Sequence, residues 1–299
     1  MKHFIKILLI LVFFACNESS EPSSGWTIVG LMNNQVKAAV SWDNKVVAAT
    51  LGGGVYMAVP GESLVPANEG LQNLFVYSLL VINGDLYAGT RDGIFVRHEQ
   101  GTTWQHMTAA LPSETRAYSL ASDGSHLFAG SRTGVFQINL NNTDDVIHLS
   151  NGMSAEPYVM STSFENDVLY TGTQGGLYTL IGSDEWQRET GVPLMTIGQL
   201  AFAQNIVVAP TDGSGISVKT NNSWKHENFG LPSMKTFAAF FHKNSFYCGS
   251  DHGVYTTDLD FKKWEPLNVG LPSNTIVNRF ALIDEMIYAC TENGLYRLQ

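Results

Sequence analysis

A strand of small residues, a tight turn and an apolar pair recur seven times along this chain, and no other feature constrains the fold as strongly. Val46-Val47-Ala48-Ala49-Thr50 leads to Gly54-Val55-Tyr56, and Leu86-Tyr87-Ala88-Gly89-Thr90 to Gly93-Ile94-Phe95. The pattern returns in Leu127–Ser131, Leu169–Thr173, Phe246–Ser250 and Ile287–Thr291, each followed by its own Gly and apolar pair. Val207-Val208-Ala209-Pro210-Thr211 with Gly215-Ile216 is a blurred copy. The closing Thr or Ser falls at 50, 90, 131, 173, 211, 250 and 291, a period of about 40 residues, which signals a stacked or radial repeat architecture.

Within a unit the apolar residues alternate with period two, and turn residues interrupt them every few positions, so the unit is built of strands. The second unit is expected to hold strands at Val76–Ile82, Leu86–Thr90, Gly93–His98 and Thr103–Met107. Asn83-Gly84-Asp85 and Arg91-Asp92-Gly93 supply the tight turns between them. Four such strands use up the period, which gives an all-β, seven-bladed β-propeller of four-stranded antiparallel blades. A second marker counts the units independently. Trp26, Leu64, Trp104, Val146, Trp186, Trp224 and Trp264 each precede a loop often spelled Gly-Leu-Pro. The two series are out of phase at the ends. The chain starts on an outermost strand at Trp26 and ends on a third strand at Gly294-Leu295-Tyr296, so the N-terminal strand is expected to complete the C-terminal blade.

Residues 1–15 stand apart. Lys2 and Lys6 flank an apolar run too short for an ordinary membrane span, the pattern of a signal peptide. Ala15-Cys16 resembles the end of a bacterial lipobox, with Phe13 where Leu is usual. The expected domain plan is a lipoprotein signal peptide at 1–15, a lipidated Cys16 with a flexible tether at 16–24, and the propeller at 25–299. From Cys16 onward 15 basic residues face 27 acidic ones, so nucleic acid and anionic bilayer surfaces are not expected as ligands. Cys248 and Cys290 occupy the small-residue slot of the second strand and are expected as packing residues. Their offset by one position leaves a disulfide between neighbouring blades conceivable in an exported protein.

The eight histidines make no metal-binding spacing. Asn139–Asp145 loosely suggests a calcium loop but lacks its Gly and terminal Glu, and is expected as a polar hairpin tip. Gly52-Gly53-Gly54 lacks the Lys-Ser/Thr of a phosphate loop. No cofactor or metal is expected.

His98-Glu99-Gln100-Gly101-Thr102-Thr103-Trp104 is similar to an Asp-box, the Ser-x-Asp-x-Gly-x-Thr-Trp hairpin of bacterial neuraminidase repeats, with Glu99 in place of Asp and Arg97 in place of Ser. The phrase Leu-Tyr-Ala-Gly-Thr-x-x-Gly-Val-Tyr resembles sialidase-like propellers of the photosystem II assembly factor and sortilin type. This resemblance implies a propeller in which the Asp-box is a structural turn. It does not bring sialidase activity. The chain has no Arg-Ile-Pro, its first arginine is Arg91, and it counts seven units where true sialidases have six blades.

By architectural analogy a propeller binds on the face carrying the second-to-third-strand turns and the starts of the inner strands. The candidate ligand-binding residues there are Arg91, Arg116, Tyr118, Arg132, Tyr158, Lys235, Asp251, His252 and Arg279. The first four come from neighbouring units and form a basic, aromatic group on an acidic protein, suited to a carboxylate sugar or an acidic peptide. The expectation is a monomeric binding or scaffolding module. Its partner would be a protein or glycan, and its place the bacterial cell envelope, through a lipid anchor and most naturally at the outer membrane. The second reading is a carbohydrate-active enzyme, a glycoside hydrolase or lyase, using Asp92, Asp251 or His252. The absence of long inserts and paired carboxylates speaks against it. Mass spectrometry of the mature protein is expected to find Cys16 first and lipid-modified; a free Cys16 thiol, or a cut elsewhere, rejects the anchor.

Overall fold

Each repeat unit folds into a four-stranded antiparallel sheet, and in the computed structural model seven such sheets form a β-propeller. The structure describes residues 25–107, 111–112 and 115–299. The expected signal peptide, lipidated Cys16 and tether lie outside the described residues. Blades I to VII are numbered by their innermost strands. These are Val36–Trp42, Val76–Ile82, Ser119–Ser122, Val159–Glu165, Ala201–Ala203, Thr236–His242 and Val277–Ile283. In blade II the remaining strands are Asp85–Thr90, Gly93–Arg97 and Gln105–His106, so the outermost is shorter than its sequence suggests.

The Thr/Ser of every unit performs one task. Its buried hydroxyl donates to the carbonyl of the glycine that opens the third strand, at 2.8–3.1 Å, from Thr50 Oγ1 to Gly54 O through Thr291 Oγ1 to Gly294 O. Those glycines all have positive φ, from 74° to 143°, a region that costs a side-chain-bearing residue strain. Hydroxyl and glycine together pin each hairpin on the turn face.

The ring is closed by a clasp. Trp26–Gly30 pairs antiparallel with Gly294–Leu298, with Trp26 opposite Leu298, and becomes the outermost strand of blade VII. Its tryptophan belongs to a repeated joint between blades. Trp26 donates its indole N–H to Leu267 O and its backbone N–H to Val269 O, both at 2.7 Å. Trp104 does the same to Ala67 and Glu69, Trp186 to Leu149 and Asn151, and Trp264 to Glu227 and Phe229. In each case the acceptors belong to the preceding blade. The glycine that follows them must be a glycine: a Cβ on Gly70, Gly152, Gly230 or Gly270 would sit 2.0–2.3 Å from the carbonyl oxygen of the arriving tryptophan. The two halves of the second sequence marker are therefore the two sides of one contact.

Blade V explains its own blurred sequence. Gly198 donates its N–H to Pro210 O, so the edge of Pro210 that faces the inner strand carries no donor. The inner segment leaves that ladder and turns to blade VI. Gln199 forms a parallel bridge with Ala238, donating to Phe237 O and accepting from Ala239 N. A Cβ on Gly198 would lie 1.7 Å from Phe237 O, so only glycine permits this approach.

Two expectations are refined here. Cys248 and Cys290 are free, buried thiols that cannot meet. Cys248 packs with blade V residues such as Ala201 and Val208, whereas Cys290 packs toward Val36 and Ala39 of blade I, so the two face away from each other. Burial raises both thiols, that of Cys290 to about 12. In the hairpin at 98–104 the turn is capped by Asp85, which accepts from Glu99 N at 3.0 Å and contacts His98 Nδ1 at 2.8 Å; the Glu99 carboxylate does not serve as that cap.

Gly270→Ala combines a positive-φ strain with a clash against the clasp, and is expected to destabilise the ring by at least about 2 kcal/mol in urea unfolding. An unchanged midpoint would show that the joint at Trp26 does not hold the ring shut.

Candidate functional site

Period two breaks once at the start of most inner strands. In blades I, II, IV, VI and VII the register between first and second strands skips one residue, namely Lys37, Tyr77, Met160, Phe237 and Asn278. Such a bulge re-aims the side chain it carries. All five, with Tyr118 of blade III and Gly198 of blade V, line a chamber of about 150 Å³. A simple in–out alternation assigns the wrong face to these positions, which is why Lys37 escaped the sequence reading.

Beside this chamber, blades II, III and IV form a cleft of about 550 Å³. Pro112, Thr115 and Arg116, between blades II and III, form part of its wall. Five of the nine expected residues line the cleft: Arg91, Arg116, Tyr118, Arg132 and Tyr158. Arg91 and Arg132 sit in second-to-third-strand turns, which exposes them. Each is steadied by a ring, Arg91 over Phe75 at 5.8 Å and Arg132 over Tyr158 at 5.7 Å. Arg132 also pairs with Glu156, and Arg116 donates to the Tyr118 phenol. Tyr158 holds its backbone at φ 48°, a conformation rare for an aromatic residue, while its N–H is tied to Arg132 O. Asp92 is the one carboxylate lining the cleft among the described residues, and Asn73 Nδ2 holds it at 2.8 Å.

The other four expected residues lie elsewhere. Lys235, Asp251 and His252 sit together on blade VI, outside the cleft. Asp251 N donates to Lys235 O at 3.3 Å, and the Asp251 carboxylate contacts its neighbour His252 Nδ1 at 2.8 Å. Arg279 lines the chamber instead, deep inside the ring. The nine residues therefore fall into three groups.

Tyr118 lines both cavities and packs edge-on against Tyr77, ring centroids 5.2 Å apart, so cleft and chamber share a wall. Lys37 reaches into the chamber and donates to Asn278 Oδ1 at 3.0 Å, while Asn278 Nδ2 donates to Val36 O. Burial, reinforced by the nearby Arg279 cation, lowers the Lys37 ammonium to about 8. Among the described residues no group of three His, Cys, Asp or Glu side chains is arranged to hold a metal ion. At the Asn139–Asp145 hairpin tip, Asn139 Nδ2 donates to the Asp145 carboxylate.

No family model matches the sequence, and no curated protein matches it. Solved structures do. The extracellular domain assigned to a hybrid two component system of B. thetaiotaomicron superposes with a TM-score of 0.77 at 17% identity, over 92% of this chain and 39% of that one. A second such domain from the same organism gives 0.73 at 14% identity, over 92% and 42%. Virginiamycin B lyase from Staphylococcus aureus, in a catalytically inactive form with quinupristin, gives 0.76 at 10% identity, over 92% and 98%. The chain thus spans about two fifths of the Bacteroides structures it matches. At these identities the likeness is one of fold.

The depressed Lys37 has a thermodynamic consequence. Between about 8 and the ordinary 10.5 the unfolded chain holds this proton and the folded chain does not. The contribution of Lys37 to stability should therefore rise with pH across that window. Urea unfolding of wild type and Lys37→Met at about pH 7.5, 9 and 10.5 measures it. The variant should lead most at the lowest pH and its lead should shrink upward; a constant gap would place Lys37 in solvent.

Proposed function

We propose that this propeller is a binding module of the bacterial cell envelope, held there by lipid on Cys16, which takes a carboxylate-bearing partner in the cleft of blades II to IV. The observation that carries the reading is the convergence of Arg91, Arg116 and Arg132 with Tyr118 and Tyr158 around one cleft on a protein of net charge −10. Guanidinium groups match carboxylates in a planar, bidentate fashion, and aromatic rings offer flat apolar surface to a sugar ring or a peptide side chain. Glu156 pairs with Arg132 alone and Asn73 holds Asp92, so Arg91 and Arg116 have no carboxylate paired with them among the described residues. An acidic glycan and an acidic protein segment share this chemistry. The extracellular, sensor-linked propellers of B. thetaiotaomicron support a binding role by analogy of fold.

The enzyme reading has one point in its favour, since the same fold occurs in the S. aureus lyase. Against it, the cleft offers Asp92 without a second lining carboxylate among the described residues, and a glycosidase uses two.

Binding of polygalacturonate, poly-glutamate and neutral dextran can be compared by titration calorimetry at low and physiological salt. The acidic polymers should bind, dextran should not, and Arg116→Ala with Arg132→Ala should weaken binding by tenfold or more. Affinity should fall as salt screens these exposed charges. Equal binding of dextran, or indifference to both substitutions, would remove the cleft as the site. Release of sugar products, lost in Asp92→Asn, would instead establish the enzyme.

A further inference from the structure

One side chain crosses part of the axial channel. Gln199 is fixed to blade VI by its backbone, and its side-chain amide crosses to blade VII, where Oε1 accepts from Phe280 N at 2.8 Å and Nε2 donates to Phe280 O at 3.1 Å. A primary amide carries the donor and acceptor of a peptide group, so it pairs with the open edge of the inner strand as another strand would. Gln199 and Arg279 line the space on both sides of this crossing. Gln199 therefore forms a floor to the chamber, between it and the space beyond.

Two cations share that pocket. The Lys37 ammonium and the Arg279 guanidinium both line it, and Arg279 acts electrostatically on Lys37. Arg279 is enclosed by the ring, and the surface it retains opens onto the channel and not the exterior. No hydrogen bond or ion pair occupies its guanidinium among the described residues, although that group has five N–H donors. Asp212 also lines the pocket, but it is exposed and pairs with neither cation. An enclosed charge without a counter-charge is costly, and adding a second like charge increases the cost. The remaining walls are largely carbon: Tyr77, Tyr118, Met160 and Ile197.

We propose that this chamber is a binding site for a small organic acid, its carboxylate seated between the Lys37 and Arg279 cations above the Gln199 floor and its carbon body against Tyr77, Tyr118 and Met160. The site is separate from the arginine cleft and stands whether or not the cleft binds a polymer. The carboxylate supplies the missing counter-charge to both cations, with two acceptor oxygens for the guanidinium fork. The apolar walls favour a carbon-bearing acid over a bare inorganic anion, and a volume near 150 Å³ fits a molecule about the size of a benzene ring.

Thermal shift and titration calorimetry on the whole mature chain test this with acetate, pyruvate, succinate and benzoate, and with inorganic phosphate and chloride as the competing anions. At least one carboxylate should raise the melting temperature and bind. Phosphate and chloride at matched ionic strength should not. Arg279→Met and Lys37→Met should each weaken that binding by tenfold or more, and Arg279→Met should melt higher than wild type without ligand, because it removes the enclosed charge. That last readout shows that the variant folds. Binding should also draw a proton from buffer at about pH 8, where free Lys37 is half-charged. The groups facing Lys37 are Arg279 and Cys290 of blade VII, Tyr77, Tyr118 and Asp212, and the uptake should vanish in Lys37→Met. Failure of all four acids at about 10 mM, which corresponds to less than about 3 kcal/mol of binding, would overturn the proposal. So would equal binding by Arg279→Met, or a preference for phosphate.

Discussion

The contact between a tryptophan and the glycine loop of the preceding blade carries the rest of this structure. A propeller has no single core; each blade must find its neighbour, and every interface must close at the same angle for the ring to meet. Trp26, Trp104, Trp186 and Trp264 are buried, and each places two N–H donors on carbonyls two residues apart in the preceding blade. Burial of a large ring supplies the attraction, and the paired hydrogen bonds fix its angle. The positive-φ glycine opposite lets the two backbones approach. Where the tryptophan is absent, Leu64 and Val146 take its place as apolar packing residues between neighbouring blades. Where the acceptor changes, at Trp224, the Glu189 carboxylate takes the indole N–H at 2.9 Å and gathers Lys219 and Thr179 around itself.

The same economy governs where function can reside. The Thr/Ser hydroxyl and its glycine consume the polar capacity of each hairpin on the turn face. The positions left free to vary are the turn residues just beyond and the bulged residues at the inner-strand starts. Arg91 and Arg132 are of the first kind, Lys37 and Asn278 of the second. The cleft and the chamber are the two places where such variable residues accumulate charge, and Tyr118 is the wall between them.

The ring, its blade count and the terminal clasp were legible in the sequence because backbone geometry demands specific residues there: a hydroxyl at the hairpin, a glycine where a neighbour arrives, a tryptophan opposite it. The site was legible only in part. Arg91, Arg116 and Arg132 could be brought together because adjacent units place their turns side by side. Lys235, Asp251 and His252 share the face but belong to blade VI; the repeat gives height along the axis, and the angle around it has to come from the blade count. Lys37 stayed hidden because a bulge shifts the alternation by one, a change with no mark in composition. Gln199 stayed hidden because blade V is the degenerate copy, though Pro210, unable to donate to its inner strand, was the available clue.

The amide of Gln199 gives the ring a mechanical asymmetry. It ties blade V, through its own chain, to the backbones of blades VI and VII across the axis, and so acts as a single spoke in a wheel of seven segments. The arginine cleft lies wholly outside the three blades that this spoke joins. A ligand that draws Arg91, Arg116 and Arg132 together would therefore load joints that the Gln199 amide does not share.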